Sequence, residues 1–441
     1  MLKQIIVSVF LLPSVFFAQH TIKGTFTNAE DYKHALLYKI LPVSTEYVTS
    51  SEVKKDGSFE LQLDATVAPG MYKIVYAIPK DEYSFDVIYN GKEDIELTFD
   101  SEKGISYQQS TENKLMSNYS SSMTKISQSI GNFYRQVSSD TLALMTIFKT
   151  QRETQKNFED AAKGTIALEF IKANRPYIPN QFEDIKTYIG NLETHFFDNV
   201  DFNNKTLQSS SFLLDRMYNY VLGMTTSGDD KLDSYKKNID AFYLAMKDAP
   251  IIIKSSLLLQ LWEKMLDLEE ESVANYISDA YLLDIAKSLN DQVLVNGLLQ
   301  FKKTSLQSKA PDFSLDGTDN GKKLSSLNGS DYYVVVFWSS ECSHCLHEIP
   351  ILESYIETLP KGDVQVVAVG LEDDDKNWSK KIKDFPDFIH VLGLGKWDNK
   401  IGDDYNVTAT PTYFVLDKDK LIIAKPDTVE DLKSFFDKKH F

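Results

Sequence analysis

Tyr332-Tyr333-Val334-Val335-Val336-Phe337-Trp338-Ser339-Ser340-Glu341-Cys342-Ser343-His344-Cys345 is the stretch that decides the fold of the C-terminal part of this chain. Its first half is an apolar run that reads as a buried strand. Its second half holds the only two cysteines in 441 residues, three positions apart. The context is strand, short turn, then helix, with Cys342 at the helix start. Unpaired backbone N–H groups and the helix dipole there favour a thiolate, the form that attacks disulfides. A zinc site is the other chemistry open to such a pair, and it needs about four ligands, usually from two pairs. No second pair exists, and only His344, His347 and His390 could be drafted in. The pair therefore reads as a redox couple, with no cofactor and no metal expected.

Apolar residues make up 42% and charged residues 25%, which is globular composition, and the length calls for two or three domains. The net charge of −17 argues against nucleic acid and anionic membrane surfaces as partners. Acidic runs such as Glu372-Asp373-Asp374-Asp375 and Glu269-Glu270-Glu271 read as solvated faces rather than cation sites. Residues 1–18 have the layout of a secretory signal peptide: Lys3, an apolar stretch over 5–17, and cleavage expected after Ala18. No other apolar run approaches the ~20 residues of a membrane span, so no integral membrane segment is expected after cleavage. The expected location is the periplasm or cell envelope. Export also explains the cysteine economy, because stray thiols in an oxidising compartment would be oxidised indiscriminately.

The remainder of the chain reads as three regions. Residues 19–103 read as an antiparallel β-sandwich-like domain, with strands expected over 22–26, 35–40, 46–48, 58–63, 71–78, 85–89 and 95–99. Asp56-Gly57, Pro69-Gly70 and Asn90-Gly91 supply turns. Residues 104–305 read as an α-helical region: Leu257, Leu261, Met265 and Leu268 recur at helical spacing, with breaks expected near 176–179 and at Ala249-Pro250. His195, among Phe196, Phe197 and Asn199, reads as a core or surface filler. Residues 306–441 alternate strand and helix, an α/β pattern with a mixed sheet. Strands are expected over 364–369, 388–392, 413–416 and 421–424, with helices over 378–385 and from Val429.

This last segment resembles the thioredoxin superfamily, specifically the TlpA/ResA-like exported thiol-disulfide oxidoreductases. The resemblance rests on Ala310-Pro311-Asp312-Phe313, Phe337-Trp338, Cys342-Ser343-His344-Cys345, Glu348 with Pro350, and Thr410-Pro411-Thr412. It implies a thioredoxin-like fold, with Cys342 the exposed nucleophile and Cys345 the buried resolving thiol. It makes Pro411 a cis-proline facing the disulfide, Thr410 a backbone partner for an extended client, and Trp338 a further substrate-binding residue. Glu348 falls on a family position that handles protons at the cysteines, although a solvated helix glutamate would look the same. A cationic His344 would stabilise the Cys342 thiolate, and Glu341 would oppose it. Val336 stands where thioredoxin has a buried aspartate. Peroxiredoxins share the opening Ala-Pro-Asp-Phe, but Val335 and Ser339 occupy the places where they need proline and threonine.

The expected function is exported thiol-disulfide exchange with protein clients, supplied by a thiol electron donor. The rival reading is an envelope binding or scaffold protein with an auxiliary thioredoxin-like domain. Nothing in residues 19–305 looks catalytic.

Overall fold

The computed structural model describes residues 20–439 apart from 28, 81, 226–227, 229–230 and 317–320; the expected signal peptide lies outside the described residues. The chain divides into two compact units, residues 1–257 and 258–441.

The first unit opens with β1 (His20–Phe26), β2 (His34–Leu41), β3 (Ser44–Glu52) and β4 (Ser58–Leu63). It continues with β5 (Gly70–Val75), β6 (Ser84–Tyr89), β7 (Ile95–Asp100) and β8 (Gly104–Gln109). They form two four-stranded sheets, ordered β4-β1-β7-β8 and β3-β2-β5-β6. Phe59, Leu61 and Leu63 alternate with polar neighbours, and they share one buried cluster with Leu37, Ile74 and Val87 of the other sheet. β8 extends the strands past the expected boundary at 103. Its residues are polar, only Ile105 and Tyr107 pack on the cluster, and it pairs along β7 at the sheet's edge. An edge strand needs little apolar pattern, so the sequence hides it.

α1 (Thr111–Arg135), α2 (Thr141–Ala161), α3 (Ala167–Ala173) and α4 (Ile185–Thr194) come next in the chain, then α5 (Lys205–Gln208), α6 (Phe212–Val221) and α7 (Lys231–Ala245). α8 (Ile251–Asp267) crosses the division between units. Side chains of Ser110, Asp140, Asp184 and Asn204 accept N–H groups at the starts of α1, α2, α4 and α5. The expected breaks fall between α3 and α4 and between α7 and α8. His195 is the half-buried C-cap of α4, its Nδ1 2.6 Å from the Asp198 carboxylate.

The second unit carries α9 (Glu271–Ile277), α10 (Leu283–Ser288) and α11 (Gln292–Lys303). It therefore begins before the expected boundary at 306. Glu271 pairs with Lys425 and accepts the Leu306 N–H at 2.6 Å, and Gln300 donates to the Asp403 carbonyl, which ties these helices to the α/β segment. That segment runs through β9 (Tyr332–Trp338), α12 (Ser343–Ile356), β10 (Val364–Glu372), α13 (Trp378–Lys381) and β11 (Ile389–Leu394). α14 (Lys400–Asp404), β12 (Thr412–Asp417), β13 (Ile422–Ala424) and α15 (Val429–Asp437) complete it. The helix expected over 378–385 is one α-turn and a 3₁₀ turn, which leaves Phe385 buried beside Trp338.

The sheet order is β11-β10-β9-β12-β13, with β9, β10 and β11 parallel and β12 antiparallel to β9. Tyr333, Val335 and Phe337 enter one core; Val334, Val336 and Trp338 enter the other, with Cys345, Ile349, Leu432 and Phe436. A central strand covered on both faces has no polar side to show, which is why β9 reads as unbroken apolar sequence.

Gly24 in β1 lies under the Phe59 ring, and a Cβ there would stand 2.1 Å from Cζ of that ring. Gly24→Ala should therefore destabilise the first unit by about 1–3 kcal/mol. Calorimetry should show a lowered transition for this unit; an unchanged melt would mean that the ring relaxes freely.

Candidate redox site

β9 ends on Trp338, and the segment Ser339–Glu341 turns the chain into α12. The Cys342 N–H donates to the Ser339 carbonyl at 3.2 Å, closing that turn. Cys342 is the N-cap of α12 with extended backbone angles, and its Sγ accepts the Cys345 N–H at 3.3 Å. A sulfur thus occupies the place where a capping oxygen usually satisfies a free helix N–H. Cys342 is half-buried and Cys345 is fully buried, both as free thiols. From the segment just before β12, 68 residues on, the Thr410 carbonyl accepts from Cys342 Sγ at 3.3 Å, and the Thr410–Pro411 peptide is cis. The structure thus brings Cys342, Cys345, Thr410 and Pro411 together.

Glu348 lies one turn beyond Cys345 and is half-buried, not solvated. Its Oε2 accepts the Tyr413 hydroxyl at 2.9 Å and the Val429 N–H, at the start of α15, at 3.0 Å. Trp338 is a correction. It is 0% exposed, in the core between β9 and α12, with its indole Nε1 unpartnered among the described residues. The last inward-facing residue of a central strand supports the site from beneath and cannot touch a client. Pro350 stands within α12, where its ring leaves the preceding turn one donor short. Among the described residues, no group of three or more His, Cys, Asp or Glu side chains could hold a metal ion.

A thioredoxin-like family model matches residues 329–422. Residues 329–422 form a thioredoxin-like domain. The thioredoxin-like protein YneN of Bacillus subtilis is 33% identical over 116 residues, covering 26% of this chain and 66% of YneN. The thiol-disulfide oxidoreductase ResA of Geobacillus kaustophilus is 26% identical over 158 residues, covering 35% of this chain and 89% of ResA. Among solved structures, a domain of a possible thiol-disulfide isomerase from Cytophaga hutchinsonii is 31% identical, covering 30% of this chain and 92% of that one, with a TM-score of 0.27.

Within this thioredoxin-like domain the two thiols differ sharply. Partial burial pushes the Cys342 thiol up, but hydrogen bonds from Cys345 and from the His344 backbone N–H outweigh it, and the net shift is downward. Burial pushes Cys345 up to about 12, and the neighbouring Cys342 adds to it. The His344 backbone N–H is the smallest of these contributions, and its imidazole is exposed. A helix start supplies N–H donors whatever the residue, so the backbone of His344 and its imidazole are two separate ways to act on Cys342.

Two participants carry no clear signal in the sequence. Tyr413 is fully buried beside Cys345, and burial together with the Glu348 carboxylate pushes its hydroxyl well above the usual range. An aromatic residue next to Thr412 reads as ordinary strand, so nothing marks it. Glu372 belongs to an acidic run expected to be solvated, yet only Asp373, Asp374 and Asp375 are exposed. Glu372 ends β10 and points under the Ser339–Glu341 turn.

If the N–H matters and the imidazole does not, His344→Gln should leave the Cys342 pKa unchanged. His344→Pro, which removes the donor, should raise it by about half a unit to one unit. The pH profile of thiol alkylation would then move to higher pH for the proline variant alone. An equal move in both variants would return the effect to the imidazole.

Proposed function

We propose that this chain is an exported thiol-disulfide oxidoreductase that exchanges electrons with protein clients through Cys342 and Cys345. The asymmetry of the two thiols carries the reading: an accessible sulfur held as a better acid, and a buried one held as a much weaker acid, 3.3 Å from N–H to sulfur. The Cys342 thiolate attacks one sulfur of a client disulfide; that S–S bond breaks, and the leaving sulfur takes the electron pair and a proton. Cys345 then loses its proton and attacks Cys342 Sγ. The mixed disulfide breaks, the client's second sulfur is protonated, and a Cys342–Cys345 disulfide remains. The client has gained two electrons and the couple has lost them, so an external thiol donor must restore it; the reverse sequence oxidises a client dithiol.

Glu348, one helical turn from Cys345 and hydrogen-bonded to Tyr413, is the group proposed to accept the Cys345 proton. Thr410 is proposed to meet the client backbone beside Pro411. The paired N-terminal sheets, which share one hydrophobic cluster, are read as a sandwich-like module outside the chemistry. Export rests on residues 1–18 alone; among the described residues no helix is long and apolar enough to cross a membrane.

The purified chain should reduce insulin disulfides, and Cys342→Ser should abolish this. Cys345→Ser should accumulate mixed disulfides on non-reducing gels, because attack survives and release does not. Trapping by Cys342→Ser alone would reverse the roles. An inactive wild-type chain that still captures envelope proteins would favour the scaffold reading.

The exported protein should begin at or near Gln19. Intact-mass spectrometry that finds Met1 retained outside the cytoplasm would remove the signal-peptide reading.

A further inference from the structure

A carboxylate stands behind the turn that presents Cys342. Glu372 is 4% exposed, and its Oε1 accepts the Ser340 N–H at 2.5 Å while Oε2 lies 3.4 Å from Ser339 Oγ. Its own carbonyl accepts the Gly395 N–H at 3.1 Å, so the side chain projects from a backbone held by the strand beyond. Ser340 is two residues from Cys342, and the Ser339 carbonyl takes the Cys342 N–H. On the next residue, Glu341 Oε1 accepts Asn377 Nδ2 at 3.1 Å. Each residue of Ser339–Glu341 is therefore gripped from the end of β10 or the segment just after it.

A neutral acceptor could hold this turn at less cost, since a buried carboxylate without a cation is expensive. Among the described residues no cation pairs with Glu372: Lys396, opposite the end of β10, is engaged by Asp373 at 3.4 Å. The other charged groups around it are Glu341 on the turn and Asp373 to Asp375 on its own exposed loop. Glu341 adds to the effect of burial in pushing the Glu372 carboxyl upward, against hydrogen bonds from Ser340 and Ser339. Two groups that both become anions, the Cys342 thiol and this carboxyl, thus share one short turn, and each makes ionisation of the other harder.

We propose that Glu372 is a positioning residue for the Cys342–Cys345 couple: its carboxylate fixes the Ser339–Glu341 turn and, by its charge, makes Cys342 a weaker acid than the helix start alone would. The inference rests on the redox reading of that couple. It sets the potential by opposition. Hydrogen bonds at the start of α12 stabilise the thiolate, and Glu372 limits how far they can, so the couple stays more reducing than it would otherwise be.

Glu372→Gln in the full chain keeps an acceptor for the Ser340 N–H and removes the charge. The Cys342 pKa, read from the pH dependence of iodoacetamide alkylation, should fall by about one unit. Equilibration with glutathione should show the couple severalfold more oxidising. A purely structural role predicts the opposite sign, because a loosened turn would weaken the N–H bonds to Cys342 and raise its pKa. An unchanged or raised pKa in a variant that melts like the wild type overturns the proposal. If the variant does not fold, the wild type still decides: as the pH falls through the range where the Glu372 carboxyl is protonated, the Cys342 alkylation rate should fall less steeply than a single titration requires, because the thiolate no longer faces a carboxylate. A rate that follows one simple titration throughout overturns it. These titrations read Cys342 directly, so a chain inactive on insulin with the expected shift would sink the redox reading, whereas an active chain without the shift would overturn this inference alone.

Discussion

One hydrogen bond sits at the centre of the C-terminal unit: the Cys345 N–H to Cys342 Sγ. A helix start leaves N–H groups without partners, and here a sulfur supplies the cap. The interaction that begins α12 is therefore the same one that makes Cys342 a better acid. Stability at the helix end and reactivity at Cys342 cannot be adjusted separately. Whatever shifts the end of β9 or the turn after it moves both.

The fold holds that cap from three sides. β9 is central, buried on both faces, and ends on the fully buried Trp338. β12 runs antiparallel to β9, and the segment leading into it brings the Thr410 carbonyl against Cys342 Sγ. The end of β10 and the residues just after it grip the intervening turn through Glu372 and Asn377. Gly370 contributes by its lack of a side chain: a Cβ there would stand 2.3 Å from Trp378 Nε1, so Trp378 can lie over the strand and join the cluster around Cys342.

Charge is distributed with the same economy. The N–H donors at the start of α12 favour a negative sulfur, burial disfavours one, and Cys345 receives the full burial cost. Glu348 does not float in solvent but bridges Tyr413 and the start of α15, so a carboxylate one turn beyond Cys345 itself accepts a helix-start N–H. Two helix starts, of α12 and α15, thus engage a sulfur and a carboxylate within two turns of one helix.

Much of this is legible in one dimension. The strand Ser58–Leu63 can be read to the residue, because Phe59, Leu61 and Leu63 alternate with a period only a half-buried strand has. The start of α15 at Val429 is also legible, and Thr428 and Asp431 form a reciprocal cap there. The Cys342–Cys345 spacing and the Thr410-Pro411 pair announce the chemistry. β8 and most of β3 are not legible, since edge strands of Ser, Thr, Glu and Gln carry no periodic apolar signal. By itself the sequence determined which residue types could do redox work and where the central strand must run, because both depend on local spacing. Only the tertiary structure decided that Trp338 is core, that Glu348 meets Tyr413, and that Glu372 leaves its acidic neighbours to lie behind Cys342. Burial, and therefore acidity, depends on residues distant in the chain: Cys342 meets a carbonyl 68 positions away, and its turn rests on a carboxylate 32 positions beyond Ser340.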